Sequence, residues 1–82
     1  MYYGVVMPWA RKLPMAIVLK DGRELVTLAD ARALILGLTE RVQARAFWVY
    51  AAELLIEAAE GDRDLAEASL ELQRALRRDG ML

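Results

Sequence analysis

Residues 46–59 read AFWVYAAELLIEAA, the most apolar helix-forming run in the chain. Alanine, leucine and glutamate favour the helix, and no glycine or proline interrupts them. On a helix running from Glu40 to about Glu60, Arg41, Arg45, Glu53, Glu57 and Glu60 fall close to one line, broken by Val49. Nearly every other position is apolar, including Phe47, Trp48, Tyr50, Leu54, Leu55 and Ile56. A surface helix shows an apolar stripe a little over ~100° wide. This helix is apolar over more than half its girth, so it belongs at the centre, touched on several sides.

The elements around it follow from local signals. Met15-Ala-Ile-Val-Leu-Lys20 and Arg23-Glu-Leu-Val-Thr27 are apolar and rich in β-branched residues, and Asp21-Gly22 lies between them. Asp-Gly between two such runs predicts a hairpin over 15–27 with a two-residue type I′ turn, which needs positive φ at both central residues. That turn opposes Lys20 to Arg23, Leu19 to Glu24, Val18 to Leu25 and Ile17 to Val26. Both hairpin faces are partly apolar, so helices must cover one of them. Thr27 followed by Asp30 reads as an N-cap with an acid three residues on, opening a helix over about 28–37. Thr39 caps the long helix over 40–60, and Gly61 ends it. Asp62 caps a third helix over 63–78, whose Leu65, Leu72 and Leu76 make one seam beside Ala68, Ser69 and Ala75. The boundary between the first two helices, over residues 37–43, is read either as a loop or as a kink.

The expected architecture is α+β: an N-terminal β-hairpin packed on three helices in one compact domain, 15–80. Residues 1–14 form an arm or edge strand, with residues 3–7 as a possible third strand. Pro8 and Pro14, which lack an amide proton, suit strand ends or edges.

With 82 residues and 9.2 kDa the chain is small enough that little stability is held in reserve. It contains no cysteine and no histidine, which excludes disulfides, thiolate metal sites and the commonest general base. The net charge of −1 provides no general field toward nucleic acid. The charge is unevenly spread, with seven Lys/Arg against four Asp/Glu in residues 1–52 (+3) and four against eight in residues 53–82 (−4). Such asymmetry can orient two copies against each other. The first positive charges, Arg11 and Lys12, follow the apolar start, the reverse of a secretory signal, and no uncharged run is long enough to span a membrane. The expectation is a cytoplasmic protein without a membrane segment.

No catalytic, cofactor or metal constellation emerges. Glu53 and Glu57 stand one turn apart but on the polar line, where an i,i+4 carboxylate pair is solvated and not held as an acid–base site. Asp62-Arg-Asp64 lacks the spacing of a calcium loop, and Gly61-Asp62 is a helix junction without the glycines of a phosphate loop. Arg11 and Lys12 beside Trp9 form a patch too short to define a groove contact, and nucleic acid is not favoured as a partner.

The order Trp9, Leu13-Pro-Met-Ala-Ile-Val-Leu19, Asp21-Gly22, Val26-Thr-Leu-Ala-Asp-Ala31, Glu60-Gly61 and then Ala66, Ala68 and Ala75 resembles the small alphaproteobacterial DUF982 family. The similarity covers about residues 9–80. Where that family often carries Trp-Pro, this chain has Leu38-Thr39-Glu40. The resemblance implies a compact α+β domain and assigns no activity, cofactor or site.

The apolar surplus supplies the functional expectation. Tyr3, Val5, Val6, Trp9, Trp48 and Tyr50 are the candidate interface residues of a non-enzymatic module that self-associates as a homodimer. A regulatory domain binding another protein or nucleic acid is the alternative, and a small-ligand-binding domain the third.

Overall fold

The computed structural model describes residues 8–82. A single 3₁₀ turn, Pro8–Ala10, leads into strands β1 (Lys12–Val18) and β2 (Glu24–Thr27). Helices α1 (Leu28–Leu36), α2 (Glu40–Gln43), α3 (Ala46–Ala59) and α4 (Leu65–Arg78) follow. The fold is α+β, with a two-stranded antiparallel hairpin packed on helices. The third strand considered for residues 3–7 lies outside the described residues.

The hairpin forms where Asp21-Gly22 predicts it, but its loop has three residues instead of two. Leu19 N–H donates to the Arg23 carbonyl at 2.8 Å, and Gly22 N–H to the Leu19 carbonyl at 2.9 Å. A type I′ turn would force Asp21 to positive φ. Only Gly22 adopts it, at 93°, and Asp21 spends its carboxylate on Arg23 N–H (3.0 Å) and Nε (2.7 Å) instead. The register therefore moves by one, to Ile17↔Leu25 and Val18↔Glu24. A one-residue slip exchanges the faces of a strand, and here it turns Leu25 inward beside Ile17; both are buried.

β1 also begins earlier than its sequence suggests, so residues 12–14 belong to the strand and not to an arm. Between the pairs Lys12↔Thr27 and Ile17↔Leu25 the register is irregular, and residues 13–16 stand against Val26 alone. Pro14 falls within this irregular stretch, where a missing amide proton breaks no regular ladder. In a regular strand Leu13, Met15 and Ile17 would share a face. The irregularity lets Leu13 and Ile17 go inward while Met15 is 75% exposed.

α1 opens with the expected capping box. Thr27 Oγ1 accepts from Asp30 N–H at 3.1 Å, and Asp30 Oδ2 accepts from Thr27 N–H at 3.1 Å and Val26 N–H at 2.8 Å. Hydrogen bonds from the Val26 and Thr27 amides hold the Asp30 carboxyl below its usual pKa of 3.8. A depressed carboxylate pKa favours the folded state above the unfolded value and loses that contribution as pH falls through the folded value. Thermal melts should thus show the Asp30 contribution constant at neutral pH and lost below about pH 4; Asp30→Asn should flatten that acid limb. Thr27→Ala should cost about 1 kcal/mol at neutral pH, read from the urea midpoint.

The long helix is split. α2 is a single turn capped by Thr39, whose Oγ1 accepts from Val42 N–H at 3.3 Å. The chain then extends at Arg45 (φ −65°, ψ 137°), and α3 begins at Ala46. Two side chains stabilise the break. Gln43 Nε2 turns back to the Leu38 carbonyl at 2.8 Å, and Arg45 reaches Asp79 at the far end of α4.

Both remaining helices end in paired carbonyl–amide closures around a positive-φ glycine. At α3, Gly61 N–H (φ 86°) donates to Ala58 O and Asp62 N–H to Glu57 O. At α4, Gly80 N–H donates to Arg77 O and Met81 N–H to Leu76 O. This is the Schellman arrangement. It also relocates the start of α4. Asp62, expected as the cap, closes α3, and Asp64 caps α4 through Ala66 N–H at 2.9 Å. The Met81 carbonyl then accepts from Lys20 N–H at 3.0 Å, tying the C-terminal end to the hairpin loop.

α3 and α4 pack most extensively on each other, α1 lies against α3 and β2, and β1 lies against α4. The buried seam of α4 follows the expected one, with Ala68, Ser69, Leu72, Ala75 and Leu76 buried and Leu65 only partly so, at its edge. The inner face of α3 carries Trp48, Ala51, Leu54, Leu55, Ala58 and Ala59. α3 is therefore central but not enclosed, since Val49, Tyr50 and Ile56 are each between 43% and 49% exposed.

Candidate functional site

At about 100° per residue, α3 presents Val49, Ala52 and Ile56 along one outward stripe, at spacings of three and four. Beside it α1 ends with Leu36, which is 63% exposed. Between the two helices lies a groove of about 280 Å³, floored by Ile35 and Leu55 and walled by Leu36, Ala52 and Ile56. Trp9 and Arg32 complete the lining. The Arg32 guanidinium lies 5.3 Å from the centre of the Trp9 ring, a cation–π contact that brings a positive charge to the groove. The 3₁₀ turn carrying Trp9 is positioned by Arg11. Its carbonyl accepts from Leu28 N–H at 2.9 Å, and its Nη1 donates to the Ala58 carbonyl at 3.0 Å, near the C-terminal end of α3.

Of the candidate interface residues, Tyr3, Val5 and Val6 lie outside the described residues. Trp9 lines the groove. Trp48 does not: it is 0% exposed, and its indole Nε1 donates to Asp79 Oδ2 at 2.5 Å. The whole of its surface is used within the chain, so it offers nothing to a partner. The adjacent-but-one Tyr50 is 49% exposed but faces another way, toward the side of α3 where Arg63 lies. The three aromatic residues are thus separated.

Asp79 has its side chain drawn inward, 10% exposed, and is held by Arg45 Nη1 as well as Trp48. Its partners are structural donors on the same chain, so it forms a latch between the start of α3 and the end of α4. Glu57 is engaged with Arg63 at 2.7 Å, and Glu53 is exposed. The Glu57 carboxylate holds the Arg63 guanidinium even more firmly protonated than usual. Among the described residues no three acidic side chains gather as metal ligands, and no helix is long and apolar enough to cross a membrane.

Leu36, Ala52 and Ile56 carry the groove and were not singled out from the sequence. Leu36 gave a usable signal, because it falls off the inward seam of Leu28, Ala31, Leu34 and Ile35. Ala52 and Ile56 gave none, because on a helix so rich in apolar residues a core position and a surface position look alike.

Comparison with family models, with curated proteins and with solved structures returned no match.

Proposed function

We propose that the protein is a non-enzymatic, cytoplasmic interaction module that self-associates through the face formed by α1 and α3. The observation that carries this reading is the groove itself: exposed Leu36 and Ile56 line it together with a half-buried Trp9, and Val49 is exposed further along the same stripe of α3, in a chain of 82 residues. Grouped apolar exposure on a small protein marks a contact surface. The resemblance to DUF982 is compatible with this and names no activity.

The hairpin is the rival surface, since it exposes Met15 and Val18. Its edge is a poor template for pairing, however. Pro14 interrupts β1, and lysines at positions 12 and 20 flank it, devices that discourage edge-to-edge addition. The helical face carries charge at its margin, Arg32 and Glu53, but no proline or lysine guard of that kind among the described residues.

Sedimentation at micromolar concentration should return twice the 9.2 kDa chain mass. Ile56→Asp should weaken the dimer at least tenfold, while Leu70→Asp, at an exposed leucine on α4, should leave it unchanged. A 9.2 kDa species for the native chain removes the proposal.

A further inference from the structure

We infer that two copies of this chain pack their α3 helices antiparallel across a two-fold axis at Ala52; this geometry rests on the self-association reading above. The stripe is symmetric about that residue in size, with Val49 (43% exposed) on one side, Ile56 (47% exposed) on the other and a half-buried alanine between them. A two-fold axis at Ala52 sets Val49 of each copy beside Ile56 of the other and brings the two alanines together. Packed helices lie about 8–10 Å apart between axes. With Cα atoms about 2.3 Å from each axis, a spacing of about 9–10 Å leaves the two Ala52 Cα atoms about 4.4–5.4 Å apart, within disulfide range.

Charge selects the antiparallel order over the parallel one. Arg45, 46% exposed, stands at the start of α3, and Glu57 and Glu60 stand at its end. Parallel packing sets arginine on arginine and glutamate on glutamate. Antiparallel packing brings Arg45 of each copy, whose guanidinium already pairs with Asp79 of its own chain, to Glu60 of the other, and Glu60 makes no ion pair among the described residues. It also aligns each helix dipole against its opposite, and it matches the wider split between a basic residues 1–52 and an acidic residues 53–82.

The native chain has no cysteine, so a single introduced one reports only on its own copy in the partner. Ala52→Cys should give a covalent dimer under mild oxidation. Val49→Cys and Ile56→Cys should each stay monomeric on a non-reducing gel when alone and cross-link when mixed. Glu60→Lys should weaken association about two- to fivefold per ion pair lost. Self-linking at positions 49 and 56 would establish the parallel order and overturn the proposal. A dimer in sedimentation with no link at position 52 would overturn this geometry yet leave self-association standing, whereas a monomer in sedimentation removes both.

Discussion

Trp48→Ala is expected to lower unfolding free energy by about 3–5 kcal/mol, the usual cost of deleting a large buried aromatic side chain. Trp48 is 0% exposed and is the largest fully buried side chain in the molecule's described part. Its loss opens a cavity at the start of α3 and removes one of the two donors holding Asp79, whose side chain is 10% exposed. Native domains have about 5–15 kcal/mol in hand, and one of this size lies toward the lower end. The alanine variant should therefore be largely unfolded in modest urea. Trp48→Phe separates the two contributions: it keeps most of the apolar volume and forfeits the indole N–H, so it should cost about 1–3 kcal/mol. Urea titrations of the three proteins supply the test. A Trp48→Ala midpoint shift no larger than that of a typical surface change would contradict the burial of Trp48 and its bond to Asp79.

The second large effect is expected at the α3–α4 seam. Leu72 is 0% exposed, and Leu72→Ala should cost about 2–5 kcal/mol through lost transfer free energy and a residual void. The converse change at the same seam is informative. Ala51 and Ala58 on α3 and Ala68 and Ala75 on α4 are all 0% exposed, so the two helices meet through small side chains with no room to spare. Ala75→Leu should then destabilise by about 1–3 kcal/mol through overpacking, although it adds apolar surface. Greater hydrophobicity with lower stability at position 75 distinguishes a fitted seam from a loose apolar cluster. An Ala75→Leu protein as stable as the parent would contradict the close approach of α3 and α4.

Much of this architecture was legible because its signals are local. The Thr27–Asp30 capping box, the glycine endings at Gly61 and Gly80 and the α4 seam each depend on residues within a single helix or its ends. Asp-Gly announced the hairpin in the same way. Its loop length was not legible, because it depends on whether Asp21 accepts positive φ or instead binds Arg23, and the two outcomes differ by one residue of register. Pro14 was read as a strand end because the irregularity that accommodates it within β1 leaves no mark on the residue order. Asp62 and Asp64 are both good caps; the Schellman closure at Gly61 chose between them.

The candidate site was less legible. Trp9 lines the groove, whereas Trp48, named with Tyr50 as a candidate interface residue, lies in the core. Adjacent-but-one aromatics on a helix must diverge, and nothing in the residue order says which of Trp48 and Tyr50 turns inward. The Asp79 carboxylate, 31 residues away along the chain, decides it by accepting the indole N–H.

What the amino-acid order determined by itself was the presence and chain order of the hairpin and of the α1, α3 and α4 helices, which face of α4 is apolar, and that the run from residue 46 to residue 59 is helical and lies at the centre. These follow from backbone preference and periodicity, which act over a few residues. Tertiary structure alone decided the break at Arg45, the hairpin register and the side of α3 left open beside Leu36. Each of these is a choice among local conformations of similar energy, and each is tipped by a partner distant in the chain or by the space that neighbouring elements leave.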